Sequence, residues 1–292
     1  MRGKIIKGIG GFYYVDTEES GVFACRARGI FRKEKKKPLV GDDVEISVLD
    51  ETDREGSLDE IFPRRNELIR PASANIDQAL VIFAADYPKP NFNLLDRFLI
   101  SMQQQDIPVI ICFNKSELVS GETLSEYCGI YEKSGCRLCT MSIYEQQGLE
   151  EVKSLLIGKT TCIAGPSGVG KSSLTNYLHP QQTAQVGELS KKIGRGKQTT
   201  RHTELFRIER DSYFLDTPGF TSLYVTGLEP EDVRWYYAEF EQFRDRCRFQ
   251  GCMHLSEPDC AVKAAVAEGK IHRERYENYR LITEEVKQSR RY

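Results

Sequence analysis

The feature that most constrains this 292-residue chain is a phosphate-binding motif that begins past its midpoint. Residues 165–172 have the sequence GPSGVGKS and match the pattern G-x-x-x-x-G-K-[ST] in full. The motif follows the apolar residues 160–164 and precedes a segment in which Leu174 and Leu178 have helical spacing. This is the strand, loop and helix context that the motif requires. The sequence therefore predicts an α/β nucleotide-binding domain whose phosphate site lies late in the chain.

The composition of the loop indicates how it would hold phosphate. Its glycines let backbone N–H groups surround the phosphate oxygens, and the N-terminus of the following helix adds a favourable dipole. Lys171 is expected to reach the β and γ phosphates, and the Ser172 hydroxyl is expected to ligate Mg²⁺. The residues predicted to contact nucleotide in this loop are Gly165, Pro166, Ser167, Gly168, Val169, Gly170, Lys171, Ser172 and Ser173.

Two later segments supply candidates for the metal side of the site. Asp216 and Gly219 form an Asp-x-x-Gly pattern at the end of a predicted strand. There the carboxylate can hold Mg²⁺ through water, and the glycine amide can contact the γ phosphate. Residues 194–202 are basic and glycine-rich, which predicts a switch segment in which Thr200 is the second Mg²⁺ hydroxyl and Thr199 the alternative. The predicted Mg²⁺ ligands are Ser172, Thr200 and Asp216.

A candidate base-binding loop, Asn114-Lys115-Ser116-Glu117, comes before the phosphate loop, directly after a predicted strand over 107–113. The usual pattern is Asn-Lys-x-Asp, whose carboxylate accepts hydrogen bonds from guanine N1–H and the exocyclic amine. Glu117 keeps the charge but is one methylene longer, so guanine binding is predicted and the strength of its selectivity stays open. Ser142, after the next predicted strand, is expected to support the base.

Three predicted regions follow from the pattern along the chain. Residues 1–69 contain five short, glycine-punctuated strands, which predict a small closed barrel of the oligonucleotide-binding (OB) type. Residues 70–227 alternate strands and helices, which predict a doubly wound parallel sheet. Residues 228–292 are helical by pattern and contain Cys247, Cys252, His254 and Cys260, a ligand set typical of a closed structural zinc site.

Composition limits the compartment and the partners. The chain has no apolar run long enough to cross a membrane and no apolar leader, so a cytoplasmic protein is expected. Its nine cysteines are then expected to be reduced. The formal charge of −2 does not by itself indicate a nucleic-acid-binding protein. The basic residues 32–37 and the arginines around the cysteine cluster either contact RNA phosphates or are solvated.

The base loop precedes the phosphate loop in this chain, whereas in conventional GTPases the phosphate loop comes first. The motif order is therefore circularly permuted. With its barrel and its Cys/His cluster, the circularly permuted chain resembles the ribosome small-subunit-dependent GTPase family over nearly its whole length. The resemblance implies late maturation of the small (30S) ribosomal subunit through its 16S rRNA, near the decoding region. It also implies that the chain alone hydrolyses GTP to GDP weakly and that the subunit stimulates this activity. The implied cofactors are Mg²⁺, bound with GTP, and one structural Zn²⁺. A monomer is expected.

Catalysis is where the chain departs from the family. Family members usually carry a His before the paired threonines, and this chain has Gln198, which can orient a water molecule but cannot titrate as a base. Phe220 stands where Ras-like enzymes place a water-orienting Gln, and here the chain is similar to the family, which carries an apolar residue at this place. The predicted catalytic residues are Lys171, Gln198 and Thr200. Two alternatives stay open, a P-loop kinase or ATPase and a non-catalytic RNA-binding scaffold.

Overall fold

The structure is a computed structural model that describes residues 1–29, 31, 37–68, 71–180, 203–216 and 225–289. The chain forms two compact units. The first unit comprises Met1–Leu80, Leu149–Ala164 and Lys171–Gly219, and the second comprises Val81–Gly148, Gly165–Gly170 and Phe220–Tyr292. Within the described ranges, none of the helices combines the length and apolar character that a membrane span needs.

The first unit begins with the predicted barrel, which is closed in the order β1-β2-β3-β5-β4. Its strands are Arg2–Ile9 (β1), Phe12–Thr17 (β2), Gly21–Ala27 (β3), Asp43–Asp50 (β4) and Glu55–Ile61 (β5). All neighbours are antiparallel except β3 and β5, which run parallel. The barrel has its own apolar core, formed by Ile5, Val15, Phe23, Cys25, Phe31, Val44, Ile46, Leu58 and Ile61. A short two-stranded sheet follows, Glu67–Leu68 (β6) and Ser73–Ala74 (β7).

A six-stranded sheet has the order β10-β9-β8-β11-β13-β12. Its strands are Gln78–Ala84 (β8), Val109–Asn114 (β9), Arg137–Thr140 (β10), Thr160–Ala164 (β11), Leu205–Glu209 (β12) and Ser212–Asp216 (β13). Every residue of β8 and β11 is buried, as in parallel strands covered on both faces. This α/β sheet confirms the predicted fold class.

At one edge the sheet departs from the doubly wound parallel sheet that the sequence predicts. Strand β12 runs antiparallel to β13, and the two are joined by a two-residue turn, Arg210-Asp211. Asp211 has a left-handed backbone with φ of 58°, which such tight hairpin turns require. The sequence analysis placed no strand at Leu205–Glu209, because an edge strand with exposed charges lacks the apolar run of a buried one.

The helices of the α/β region alternate with these strands, as predicted for residues 70–227. They are Phe92–Gln103 (α1), Gly121–Tyr131 (α2), Leu149–Leu156 (α3) and Lys171–Leu178 (α4). The start of α1 is set by Asn91, whose side chain accepts a hydrogen bond from the Leu94 backbone N–H at 3.0 Å. The start of α4 is set by the phosphate loop, since Lys171 is its first residue.

The C-terminal part of the second unit is helical, as predicted. Its helices are Glu241–Arg244 (α5), Ala261–Ala267 (α6) and Arg273–Ser289 (α7), with 3-10 turns at Val233–Tyr236 and Ala238–Phe240. Helix α7 packs on α1, and Arg97 and Glu285 form two hydrogen bonds of 2.7 and 2.6 Å across that contact. The boundaries proposed at residues 69/70 and 227/228 stay predictions.

Candidate active site and metal centre

The phosphate loop has a backbone that only glycine tolerates well. Gly165, Gly168 and Gly170 have φ of 143°, 81° and 100°. A Cβ atom at Gly165 would clash with the carbonyl oxygen of Ile82 in β8, and one at Gly170 would clash with the side-chain amide of Asn114. The glycines are therefore needed both for the conformation of the loop and for its close approach to neighbouring residues.

The base loop and the phosphate loop are in direct contact. Asn114 ends β9 and is only 2% exposed. Its side-chain Nδ2 donates a hydrogen bond of 2.7 Å to the backbone carbonyl of Val169, in the centre of the phosphate loop. Two motifs that are widely separated in sequence thus lie side by side in the second unit, which is the arrangement that a single nucleotide site requires.

The base loop presents two buried acceptor atoms. Oδ1 of Asn114 and Oε2 of Glu117 accept no hydrogen bond from the described residues, although both atoms are buried. A buried acceptor without a donor is costly, so both atoms are suited to a ligand that brings N–H groups. The Watson–Crick edge of guanine carries such groups, whereas adenine N1 is itself an acceptor.

Backbone contacts fix the orientation of the base loop. Lys115 has a left-handed backbone with φ of 60° and opens the 3-10 turn Ser116–Leu118. Its Nζ donates to the carbonyl oxygen of Tyr87, and the Ser116 N–H donates to the carbonyl oxygen of Met141 at 3.2 Å. Tyr87 was missed by the sequence analysis, although its place after the end of the buried strand β8 could have indicated it.

Ser142, the predicted base support, is fully buried in a short loop after β10. Its backbone exchanges two hydrogen bonds of 3.0 Å with Gln147, and its hydroxyl accepts a 2.9 Å bond from the Glu145 N–H. Cδ1 of the neighbouring Ile143 lies 3.5 Å from the position that a Cβ at Gly170 would occupy. The loop therefore lies against the phosphate loop, and Ile143 is a contact that the sequence analysis did not assign.

The remaining residues predicted to contact nucleotide lie partly outside the described residues. Lys171 is buried at the start of α4, and Ser172 and Ser173 follow it with exposed side chains. Of the predicted Mg²⁺ ligands, Ser172 is thus free of the packed core, as a metal-binding hydroxyl must be. Outside the described residues lie the side chain of Asp216, and Gln198, Thr199, Thr200, Gly219 and Phe220.

The four predicted zinc ligands converge at one point of the C-terminal region. One ligand atom from each of Cys247, Cys252, His254 and Cys260 lies within 4.8 Å of the others. His254 Nδ1 lies 3.5 Å from the Cys247 sulfur and 3.4 Å from the Cys260 sulfur. A tetrahedral zinc ion with bonds of about 2.0–2.3 Å needs ligand separations of this size, so the group could hold zinc.

The surroundings of the cluster hold its loops in place. The Tyr276 hydroxyl donates to the His254 carbonyl at 2.8 Å, and Glu257 accepts hydrogen bonds from the N–H groups of Met253 and Leu255 at 2.7 and 2.8 Å. Burial lowers the pKa of His254 to about 4, so the imidazole is neutral at pH 7. A neutral imidazole has the free electron pair that a metal ion needs.

A phosphate loop preceded by a base loop, on an α/β sheet that follows a barrel, defines a circularly permuted GTPase. The model of the RsgA GTPase family matches residues 61–226, and that of the RsgA N-terminal domain matches residues 2–57. The chain belongs to the RsgA GTPase family.

Full-length relatives and solved structures agree with this assignment. The small ribosomal subunit biogenesis GTPase RsgA of Agathobacter rectalis is 52% identical, and the match covers 100% of both chains. The protein of the same name from Alkaliphilus metalliredigens is 50% identical over 100% of this chain and 99% of its own. The crystal structure of YloQ, a circularly permuted GTPase, is 40% identical with a TM-score of 0.80, covering 99% of this chain and 95% of that one. YjeQ from Thermotoga maritima is 33% identical with a TM-score of 0.82, covering 98% of both.

Proposed function

We propose that this chain is a Mg²⁺-dependent GTPase that takes part in small ribosomal subunit biogenesis and hydrolyses GTP faster when the subunit is bound. The observation that carries the proposal is the hydrogen bond between Asn114 and the Val169 carbonyl. It joins a loop suited to guanine with a loop suited to phosphate. The names of the full-length relatives support the biological role.

Guanine recognition is assigned to the base loop. Glu117 Oε2 would accept hydrogen bonds from the guanine N1–H and amine, and Asn114 Oδ1 is a second acceptor. Lys115 and Ser142 would hold the edges of this pocket through their contacts with Tyr87 and Glu145. An adenine base would place its N1 lone pair against the Glu117 carboxylate, which disfavours the ATPase alternative.

Phosphate binding and hydrolysis are assigned to the later motifs. The backbone of Gly165–Gly170 and the Lys171 ammonium would hold the phosphates, and Mg²⁺ on Ser172, Asp216 and Thr200 would neutralise charge on them. Gln198 would orient the attacking water, because its carbonyl oxygen can accept a hydrogen bond from that water.

A single zinc ion on Cys247, Cys252, His254 and Cys260 would have a structural role. Four protein ligands complete its tetrahedral shell, so no position is left for a substrate. The zinc would instead join the loops that carry these ligands, which pack on the apolar core of the C-terminal region.

The proposed partners are the 30S subunit and its 16S rRNA, encountered in the cytoplasm by a monomeric chain. The barrel supports RNA binding by its type. In the C-terminal region, the exposed Trp235 ring is flanked by the guanidinium groups of Arg234 and Arg244, at 4.8 and 4.4 Å from its centroid. Exposed aromatic rings beside arginines are suited to nucleic acid.

Turnover of GTP with and without purified small subunits tests the function. We expect the subunits to raise the rate by about tenfold or more, because an ordered switch completes the catalytic set. Large ribosomal subunits serve as the control. Nucleotide binding with no turnover under either condition would instead support the non-catalytic scaffold.

A Gln198→Ala variant tests the assignment of the water-orienting residue. We expect its subunit-stimulated rate to fall by about 10²-fold, the usual contribution of such a group. Its affinities for GDP and for the subunit should stay at the wild-type values, which separates catalysis from binding. Full stimulated turnover by the variant would remove Gln198 from the mechanism.

A further inference from the structure

The hairpin formed by β12 and β13 has a special place in the chain. It connects the segment that contains Thr200 with the pattern that begins at Asp216, and both are proposed to contact the γ phosphate side. Only two short strands, Leu205–Glu209 and Ser212–Asp216, and their turn separate the two segments along the chain.

A buried carboxylate of the barrel holds both strands of the hairpin. Asp16, in β2, is only 5% exposed. It accepts a 2.9 Å hydrogen bond from the Tyr213 hydroxyl of β13 and is paired with Arg207 of β12, whose Nη1 lies 3.3 Å from each carboxylate oxygen. Burial and the nearby Asp16 charge raise the pKa of Tyr213, so its hydroxyl stays protonated and donates.

A second polar pair lies at the start of the hairpin. Lys7 of β1 and Glu204 form an isolated antiparallel bridge, and their side chains make a 2.9 Å salt bridge. By contrast, the described residues of the apolar barrel core all belong to the barrel and its adjoining segments. The described contacts between the barrel and the hairpin thus include directional polar pairs at Asp16 and at Lys7, and no described residue of the barrel's apolar core cluster belongs to the hairpin.

The energy of directional pairs of this kind depends on the position of the hairpin relative to the barrel. A hydrogen bond weakens steeply when its distance or angle changes, whereas apolar side chains keep most of their contact energy when they slide. A cavity of about 410 Å³ lies beside this junction and is lined in part by Asp16, Tyr213 and Gly158. On this side the anchor therefore borders open space rather than packed side chains.

We propose that Asp16 is a positioning residue through which the barrel and the γ-phosphate side of the nucleotide site bias the same hairpin. An RNA ligand on the barrel would then change the affinity for GTP relative to GDP, and nucleotide would change the affinity for RNA by the same factor. The inference rests on the proposed binding of guanine nucleotide at the phosphate loop.

The test compares subunit affinities of the full-length chain with GDP and with a non-hydrolysable GTP analogue. In the wild type, the ratio of the two affinities measures the coupling between nucleotide binding and subunit binding. We expect Asp16→Asn, which keeps the shape of the side chain, to reduce this ratio by about fivefold or more. Tyr213→Phe, which removes only the hydroxyl, should reduce it in the same direction.

Arg210→Gln is the matched control. Arg210 belongs to the same hairpin and forms a salt bridge with Glu18 of the barrel side, but the two side chains are 71% and 60% exposed. Exposed pairs contribute little, so the ratio should stay at its wild-type value. Equal ratios in the wild type, Asp16→Asn and Tyr213→Phe would overturn the inference.

Amide hydrogen exchange of β2 provides a readout that needs no ribosome. The GTP analogue should change the rates of amide hydrogen exchange in Phe12–Thr17 of the wild type. In Asp16→Asn these rates should stay the same with and without the analogue. Absence of any nucleotide binding in the wild type would contradict the proposed function itself. Normal nucleotide binding with no response of β2 in the wild type would overturn the coupling alone.

Discussion

At the scale of single residues, the site depends on how closely Asn114 approaches the phosphate loop. Gly170 has φ of 100°, and a Cβ there would meet the Asn114 amide. We predict that Gly170→Ala lowers the affinity for GDP by about 10²-fold, because the lost Asn114 hydrogen bond and the backbone strain together cost about 3 kcal/mol. Binding of a fluorescent GDP derivative measures the loss.

Gly158→Ala is the control for this prediction. Gly158 also has a left-handed backbone, with φ of 70°, but nothing lies within 4 Å of a Cβ built there. The substitution should cost about 1 kcal/mol of stability and leave nucleotide affinity unchanged. A Gly170→Ala variant that binds GDP as tightly as Gly158→Ala would show that the contact with Asn114 is dispensable.

At the scale of elements, a buried charge cluster joins α1 and α7 in the second unit. Arg275 donates to Asp96 of α1 and, at 2.7 Å, to Glu239. Asp96 also accepts a 2.9 Å hydrogen bond from the Tyr131 hydroxyl, and the Arg275 guanidinium lies 4.4 Å from the Tyr237 ring centroid. Burial raises the pKa of Asp96, an effect that the Arg275 charge opposes. Without this arginine, two carboxyl groups would be buried together unpaired.

We therefore predict that Arg275→Met lowers the free energy of unfolding of the second unit by about 3–5 kcal/mol. Urea unfolding followed by Trp235 fluorescence measures it, because Trp235 is the only tryptophan and belongs to that unit. Arg97→Met is the matched control, since Arg97 pairs with Glu285 between the same helices but Glu285 is 37% exposed, so its carboxylate keeps access to water when the arginine is removed. It should cost about 1 kcal/mol or less. If the two variants lose equal free energy of unfolding, the buried cluster is not the main link between α1 and α7.

Local signals explain which elements could be predicted from sequence. The phosphate loop, the Cys/His cluster and the fully buried β8 and β11 each have a pattern contained in a few residues. The edge strand β12 carries a weaker signal, because its alternation of apolar and charged residues extends over only five residues and has no long apolar run. The contacts of Arg275 with Asp96 and of Asn114 with Val169 are long-range tertiary contacts. They depend on how the elements pack together, and the spacing of residues along the sequence does not reveal this packing.

At the scale of the whole molecule, the order of motifs places base recognition early in the chain and phosphate binding late. A nucleotide that binds both the base loop and the phosphate loop should stabilise the whole fold. This requires a base that can donate hydrogen bonds to the buried Glu117 Oε2. A ligand at 100 times its Kd adds about 2.7 kcal/mol of stability. For a chain of this size that corresponds to a rise in Tm of roughly 5 °C.

We predict this rise for GDP with Mg²⁺ and no comparable rise for ADP or ATP at the same concentration, measured by thermal unfolding. The physical reason is that guanine donates N–H groups to the two buried acceptors of the base loop, whereas adenine presents a lone pair there. Lys171→Ala should abolish the GDP effect by removing the ammonium group that is proposed to hold the phosphates, with the shift measured against the variant's own Tm without ligand. Equal shifts with guanine and adenine nucleotides would mean that the loop Asn114-Lys115-Ser116-Glu117 does not select the base. The P-loop ATPase alternative would then be favoured, because the phosphate loop alone would account for binding.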